Sequence, residues 1–403
     1  MTDGADPNVK KTATTLAEAL GRVRDAEMRG FSQGAEPGAE PGGTPYEHRF
    51  PAKSTSVAEI LSILLRAVPA HTMPAYDKVA WQYAFEFEGV PCRLRWTKSG
   101  VKLTVWMPEG SRSANAVSAE VERRLMSAAQ RVYQIAVSPE VKRQQGLNCV
   151  AIVNQYSRYR GMVDYFLDQL SKNRADGPPA VELESDGQDD TAISAVVGGF
   201  RQAQSDAQHR RELGYLATAL LAAYFAYIHH ALVILAAFSP RALQEDFSLM
   251  ELLGARWAGQ FDVAYPPPHA GDVGRAKSDL RHLAAQYRNP LLHGGGGRPS
   301  DGMFVEWAPG RWTLVSETGE PTDQFMLWQP ALSETEIDDI LARINRIDDS
   351  LAVHPFFPWL RSGLEGDFRP EAIRRALSAL ERGEVDAFTA AANSAFDDSV
   401  NWD

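Results

Sequence analysis

Cysteine is scarce in this chain: Cys92 and Cys149 are the only two in 403 residues. They lie far apart and neither has a CxxC partner, which excludes a disulfide framework and a paired thiolate metal site and points to a reducing compartment. The opening stretch, MTDGADPNVKKTATTLAEAL, has neither the basic start nor the continuous apolar run of a signal peptide. The cytoplasm is therefore the expected location. Positive charge is in deficit too. With 41 Lys and Arg against 52 Asp and Glu, the formal net charge is −11, which argues against a broad basic face that coats nucleic acid through many phosphate contacts. A local arginine-bearing groove is compatible with that average. The chain also lacks GxxxxGK[ST], a GxGxxG opening a βαβ unit, HExxH and GxSxG. The phosphate-loop, dinucleotide, zinc-protease and serine-hydrolase readings lose support accordingly, and no cofactor or metal is expected.

One long run lacks fixed charge. Leu213 to Phe238, LGYLATALLAAYFAYIHHALVILAAF, is long enough to cross a bilayer. It is nonetheless alanine-rich, sets His229 and His230 side by side near its middle, and has no Lys/Arg bias or aromatic girdle at both ends. It reads as a buried core helix, with no membrane partner.

The length suggests about two domains and their connections. Residues 1–46 read as an N-terminal helix, over 12–29, and a flexible linker whose repeat GAEPGAEPGGTP, Gly34 to Pro45, can hold neither helix nor strand. Residues 47–140 read as a small α+β domain. STSVAEILSILLRAV has helical spacing, whereas WQYAFEFEG, PCRLRW and VKLTVWMPE alternate like strands with one buried face, and a second helix begins near Ser113. On the first strand Trp81, Tyr83, Phe85 and Phe87 should pack on the helices, leaving Arg93, Arg95, Lys98 and Lys102 as solvated partners rather than an RNA-stacking platform. Residues 141–360 read as a helical bundle, with a flexible acidic insertion near 173–195 and a β-hairpin near 303–316 turning at Pro309-Gly310. Ser333 and Glu336 form a capping box. Residues 361–403 are a C-terminal helix and an acidic tail. The expected class is mainly α: a helical bundle preceded by a small α+β domain with a three-stranded antiparallel meander.

The segment QYRNPLLHGGGG, Gln286 to Gly297, carries the chemistry. An arginine followed five positions later by a histidine is weak by itself, since composition alone supplies about half a match in such a chain. RAVPAH, Arg66 to His71, is a second match, broken by Pro69 and read as accidental. Context separates the two. At about 100° per residue, Leu280, Leu283, Ala284, Tyr287 and Leu291 form one apolar stripe. His293 falls roughly opposite it, Asn289 lies on nearly the same face as His293, Arg288 sits at the stripe's edge, and His282 shares the polar side. Pro290 removes a donor and crowds the Gln286 carbonyl, so a kink or restarted turn is expected. The glycines that follow would end the helix and allow close approach.

YRNPLLHG at the end of a helix, preceded by a long apolar helix, resembles the Arg-x4-6-His signature of the HEPN superfamily, in which asparagine commonly follows the arginine. The resemblance covers Asn148 to about Leu351 as helical architecture and does not extend to the α+β unit or the hairpin. It implies a HEPN-like bundle that dimerises so that two motifs line one cleft, acting as a metal-independent endoribonuclease in a toxin, abortive-infection or phage-defence system. Carried over, His293 would be the general acid/base for attack of an RNA 2′-hydroxyl on the adjacent phosphate. Arg288 would hold that phosphate, and Asn289 would orient the histidine or bond the phosphate. The residue types suit this work, since histidine titrates near neutrality and arginine presents a planar fork to phosphate oxygens. His229, His230 and His282 are supporting candidates; the plainer reading makes the adjacent pair one core and one interface histidine. The expected partners are an RNA substrate, a second copy of the chain, and an antitoxin or defence-system component. The alternative is a non-catalytic HEPN-like bundle used for dimerisation or for ligand or partner binding.

Overall fold

The computed structural model describes residues 17–18, 20–34, 41–68, 70–73, 78–107, 113–179, 191–293, 303–315 and 332–400; within these, the side chains of Thr55, 191–197, His293, 303–304, Leu314 and 399–400 lie outside the description. Residues 180–190 of the acidic insertion, the middle of the Gly/Pro linker and the four glycines after His293 fall outside it too, whereas 173–176 and 191–195, read as part of that insertion, are helical. The chain divides into two compact units, residues 1–147 with 394–403, and residues 148–393.

The first unit is built on an antiparallel sheet. Its strands are β1 (Phe31–Gln33), β2 (Thr44–Arg49), β3 (His71–Met73), β4 (Val79–Phe87), β5 (Val90–Thr97) and β6 (Gly100–Met107), in the order β1-β4-β5-β6-β2 with β3 also on β4. The alternating segments form the central meander, and their register sets Tyr83 beside Leu94 and Leu94 beside Leu103, all fully buried. Trp81, Tyr83, Phe85 and Phe87 all point into that core as expected. Glu88 and Gly89 both take positive φ (51° and 79°), as a two-residue hairpin turn requires. Helices Ala58–Ala67 and Ala114–Val132 cover the sheet with Leu61, Leu64, Leu65, Val121 and Leu125. Burial pushes the Cys92 thiol up to about 12, which leaves it un-ionised and poorly reactive near neutrality.

Three strands lie beyond the expected meander. β1 and β3 have three residues each, too few to display a period. β2 uses the last two residues of the stretch read as linker, Thr44 and Pro45, and pairs with β6 at the edge of the sheet, where a proline is tolerated because no neighbour needs its missing N–H. The second arginine-histidine match ends here as well. Arg66 donates to the Tyr83 hydroxyl at 2.6 Å while His71 opens β3.

The second unit is helical and is organised around the 46-residue helix Thr191–Ala236. Its apolar half is covered by protein: 72% of the most apolar window is buried, and Leu220, Leu221, Ile228, Leu232, Ile234 and Leu235 are fully enclosed. Burial on every side explains why this stretch has the hydropathy of a membrane span. Against it pack Tyr156–Asp176 and Trp257–Ala264, while Gly271–His282 lies along Glu334–Leu351. Glu334–Leu351 starts with the expected capping box, in which Ser333 N donates to Glu336 Oε2 at 2.8 Å and Glu336 N to Ser333 Oγ at 3.3 Å. Strands Met303–Ala308 and Arg311–Val315 form the hairpin, and Trp307 and Trp312 stand exposed on it.

Candidate functional site

Pro290 shapes the helix that carries the motif. Gly271–His282 is regular, Leu283–Arg288 widens into a π turn in which Asn289 N–H donates to the Ala284 carbonyl, and α geometry resumes over Asn289–His293. The donor that proline lacks would have closed on Gln286, so a wider turn just before it accommodates the gap without breaking the helix. Leu280, Leu283, Ala284 and Tyr287 are buried as the stripe anticipated; Leu291, beyond the widened turn, is only half-buried. The extra residue in that turn rotates everything after it relative to a uniform helix.

Arg288 is turned inward. Its guanidinium carbon lies 5.4 Å from the centroid of the Phe225 ring on the central helix, an arrangement that favours the cation, and its Nη1 donates to Asn289 Oδ1 at 3.0 Å. Nε is buried and has no acceptor among the described residues. Asn289 is exposed and acts as the side chain that holds the arginine. The backbone of His293 completes the helix, and its side chain lies outside the described residues.

The two adjacent histidines are sent to different neighbours. His229 lies one turn after Phe225 and reaches Gln260 of Trp257–Ala264, with Nδ1 at 2.8 Å from Gln260 Oε1. Burial pulls its pKa below the ordinary value; the Gln260 hydrogen bond opposes this and the nearby Arg288 charge adds to it. His230 faces Tyr156–Asp176, accepts the Gln155 N–H on Nε2 at 2.8 Å, and is lowered by burial to about 4. It is a neutral acceptor that ties the loop before that helix. His282 belongs to a third set. Its Nε2 is 3.3 Å from Asp339 Oδ2, which also accepts from Tyr287 at 3.0 Å and from Arg343 Nε at 2.9 Å. Burial disfavours the Asp339 charge, but Arg343 and Tyr287 outweigh it and hold that carboxyl below its usual range. Arg343 and Arg346 continue the network to the buried Asp279.

The fold therefore gathers Arg288, Asn289 and His229, and gives His230 and His282 separate structural partners. Gln260 and Phe225 were not visible as site residues in the sequence; the i, i+4 spacing of Phe225 and His229 was the one available signal. Among the described residues no three His, Cys, Asp or Glu side chains gather so as to hold a metal ion. No family model, curated protein or solved structure matches the chain.

Proposed function

We propose that this chain is a metal-independent endoribonuclease of the HEPN type, a cytoplasmic homodimer acting as a toxin or phage-defence effector. The carrying observation is Arg288, a guanidinium held by Asn289 and Phe225 at the end of a helix whose other face is core, and itself only partly covered by protein. Such a group suits a phosphate oxygen. In the reaction the RNA 2′-hydroxyl loses its proton and attacks the adjacent phosphorus, the bond to the 5′-oxygen breaks, and that oxygen takes up a proton. The products are a 2′,3′-cyclic phosphate and a 5′-hydroxyl. Arg288 stabilises the charge gathered on the phosphoryl oxygens, and His293 serves proton transfer. The test is incubation of purified protein with RNA in chelator. His293→Ala should cleave about 10²- to 10⁴-fold more slowly, with cyclic phosphate ends on the parent's products, and a variant as fast as the parent removes the assignment.

The Arg288–Phe225 contact also supports a second reading, a non-catalytic HEPN-like bundle in which that contact anchors the motif helix. It expects Arg288→Ala to change stability or assembly while no RNA is processed. Toxicity on expression in a host, compared between parent and His293→Ala, separates the readings even where an antitoxin or trigger controls the protein.

A further inference from the structure

We infer that His229 is the general base of this site, accepting the 2′-hydroxyl proton on Nε2 while His293 supplies the proton to the leaving 5′-oxygen. The inference rests on the ribonuclease reading and assigns a residue outside the Arg288 to His293 motif. Its foundation is a tautomer set by a chain of hydrogen bonds. Gln260 is buried, and its amide nitrogen donates to the Leu252 carbonyl at 3.1 Å. That bond fixes which end of the amide faces the imidazole, so Gln260 Oε1 meets His229 Nδ1 at 2.8 Å as an acceptor. Nδ1 must then carry the hydrogen, and in the neutral ring the lone pair is left on Nε2. No protein group occupies Nε2 among the described residues, and it is not sealed from solvent. This is the arrangement by which a positioned partner makes the far nitrogen of an imidazole a base.

The surroundings select a base rather than an acid. The motif helix presents the Arg288 cation, Trp257–Ala264 presents the uncharged Gln260, and the central helix flanks His229 one turn away with Phe225 and Val233. Among the described residues no carboxylate faces the ring to hold it protonated, and burial together with Arg288 disfavours the imidazolium. His230 shows the contrast. Its Nε2 is already spent on the Gln155 N–H, so the neighbouring histidine cannot take over the role. In the step proposed, Nε2 takes the proton as the O2′–P bond forms, and Arg288 faces the resulting imidazolium only until His293 and solvent restore the starting protonation.

The test is the pH-rate profile of RNA cleavage by the full chain for the parent, His229→Asn and Gln260→Glu, with the ring nitrogens of His229 followed by 15N NMR. The parent should show an acidic limb below pH 6.5 and an Nδ1–H tautomer at His229. His229→Asn should cleave about 10²- to 10⁴-fold more slowly and lose that limb. Gln260→Glu places a carboxylate against Nδ1, stabilises the imidazolium, and should move the limb upward by about one pH unit or more; this arm stands even if His229→Asn folds poorly. A parent that cleaves RNA alongside a folded His229→Asn with unchanged rate and limb, or an Nε2–H tautomer, overturns the inference and leaves the ribonuclease reading intact. A parent that cleaves no RNA overturns both.

Discussion

The two units differ in the charge they enclose. Among the described residues the buried polar side chains of the sheet unit, Ser54, Ser62, Gln82 and Ser118, are all uncharged, and the Tyr83 hydroxyl in its core is met by Ser62 Oγ at 3.0 Å and Arg66 Nε. The helical unit draws charge and hydrogen-bonding groups inward: Tyr224 donates to Asp348 at 2.9 Å, Asp348 pairs with Arg160, Asp279 with Arg343, and Gln260 with His229. Bringing such groups out of water costs free energy unless each is partnered. A bundle of helices has free faces between its members, and the polar side chains there fix which face meets which. The same device that sets helix against helix in the second unit also holds the site.

The comparison breaks most severely at Arg160. Arg160→Ala strands the largely enclosed Asp348 carboxylate and should cost about 3 kcal/mol, lowering the denaturation midpoint of the helical unit while the sheet unit's transition stays in place. Loss from both transitions would mean that the units do not behave separately. Acid should act next, and on the same unit. His230 and His354 are each lowered by burial from 6.5 to about 4. A depressed folded value means that the neutral ring stabilises the fold above pH 6.5 and that this contribution drains away as pH falls toward 4. For His230 it amounts to about 2 kcal/mol, after allowing for the water that reaches the ring. His230→Gln, which keeps an acceptor for the Gln155 N–H, should flatten the stability profile across that window in a pH series of chemical denaturation. The smallest effect belongs to the sheet. Tyr83→Phe leaves Ser62 and Arg66 to find other partners and should cost about 1 kcal/mol, seen only in the sheet unit's transition.

The legible parts of the molecule were those with a local period. The alternation of Trp81, Tyr83, Phe85 and Phe87, the stripe Leu280, Leu283, Ala284 and Tyr287, and the Ser333–Glu336 cap all follow from neighbours a few residues apart. β1 and β3 were illegible because three residues cannot display a period, and β2 because Thr44 and Pro45 become a strand only once β6 lies alongside. At the site, Pro290 announced a disturbance, and the π turn that answers it moved Arg288 from the stripe's edge onto the Phe225 ring. His282, expected on the motif's polar side, is drawn instead to Asp339 on a helix more than fifty residues away in sequence.

By itself the sequence determined which of the longer periodic segments are helix or strand, which of their faces are apolar, and that an arginine and an asparagine stand together where a helix meets a proline. Those properties depend on side-chain order over a turn or two, where geometry is regular. Only the tertiary structure decided that His229 and His230 have different occupations. Successive residues on a helix point about 100° apart, so one ring meets Gln260 beside Arg288 and the other meets the Gln155 N–H, and those partners come from distant parts of the chain that only packing brings near.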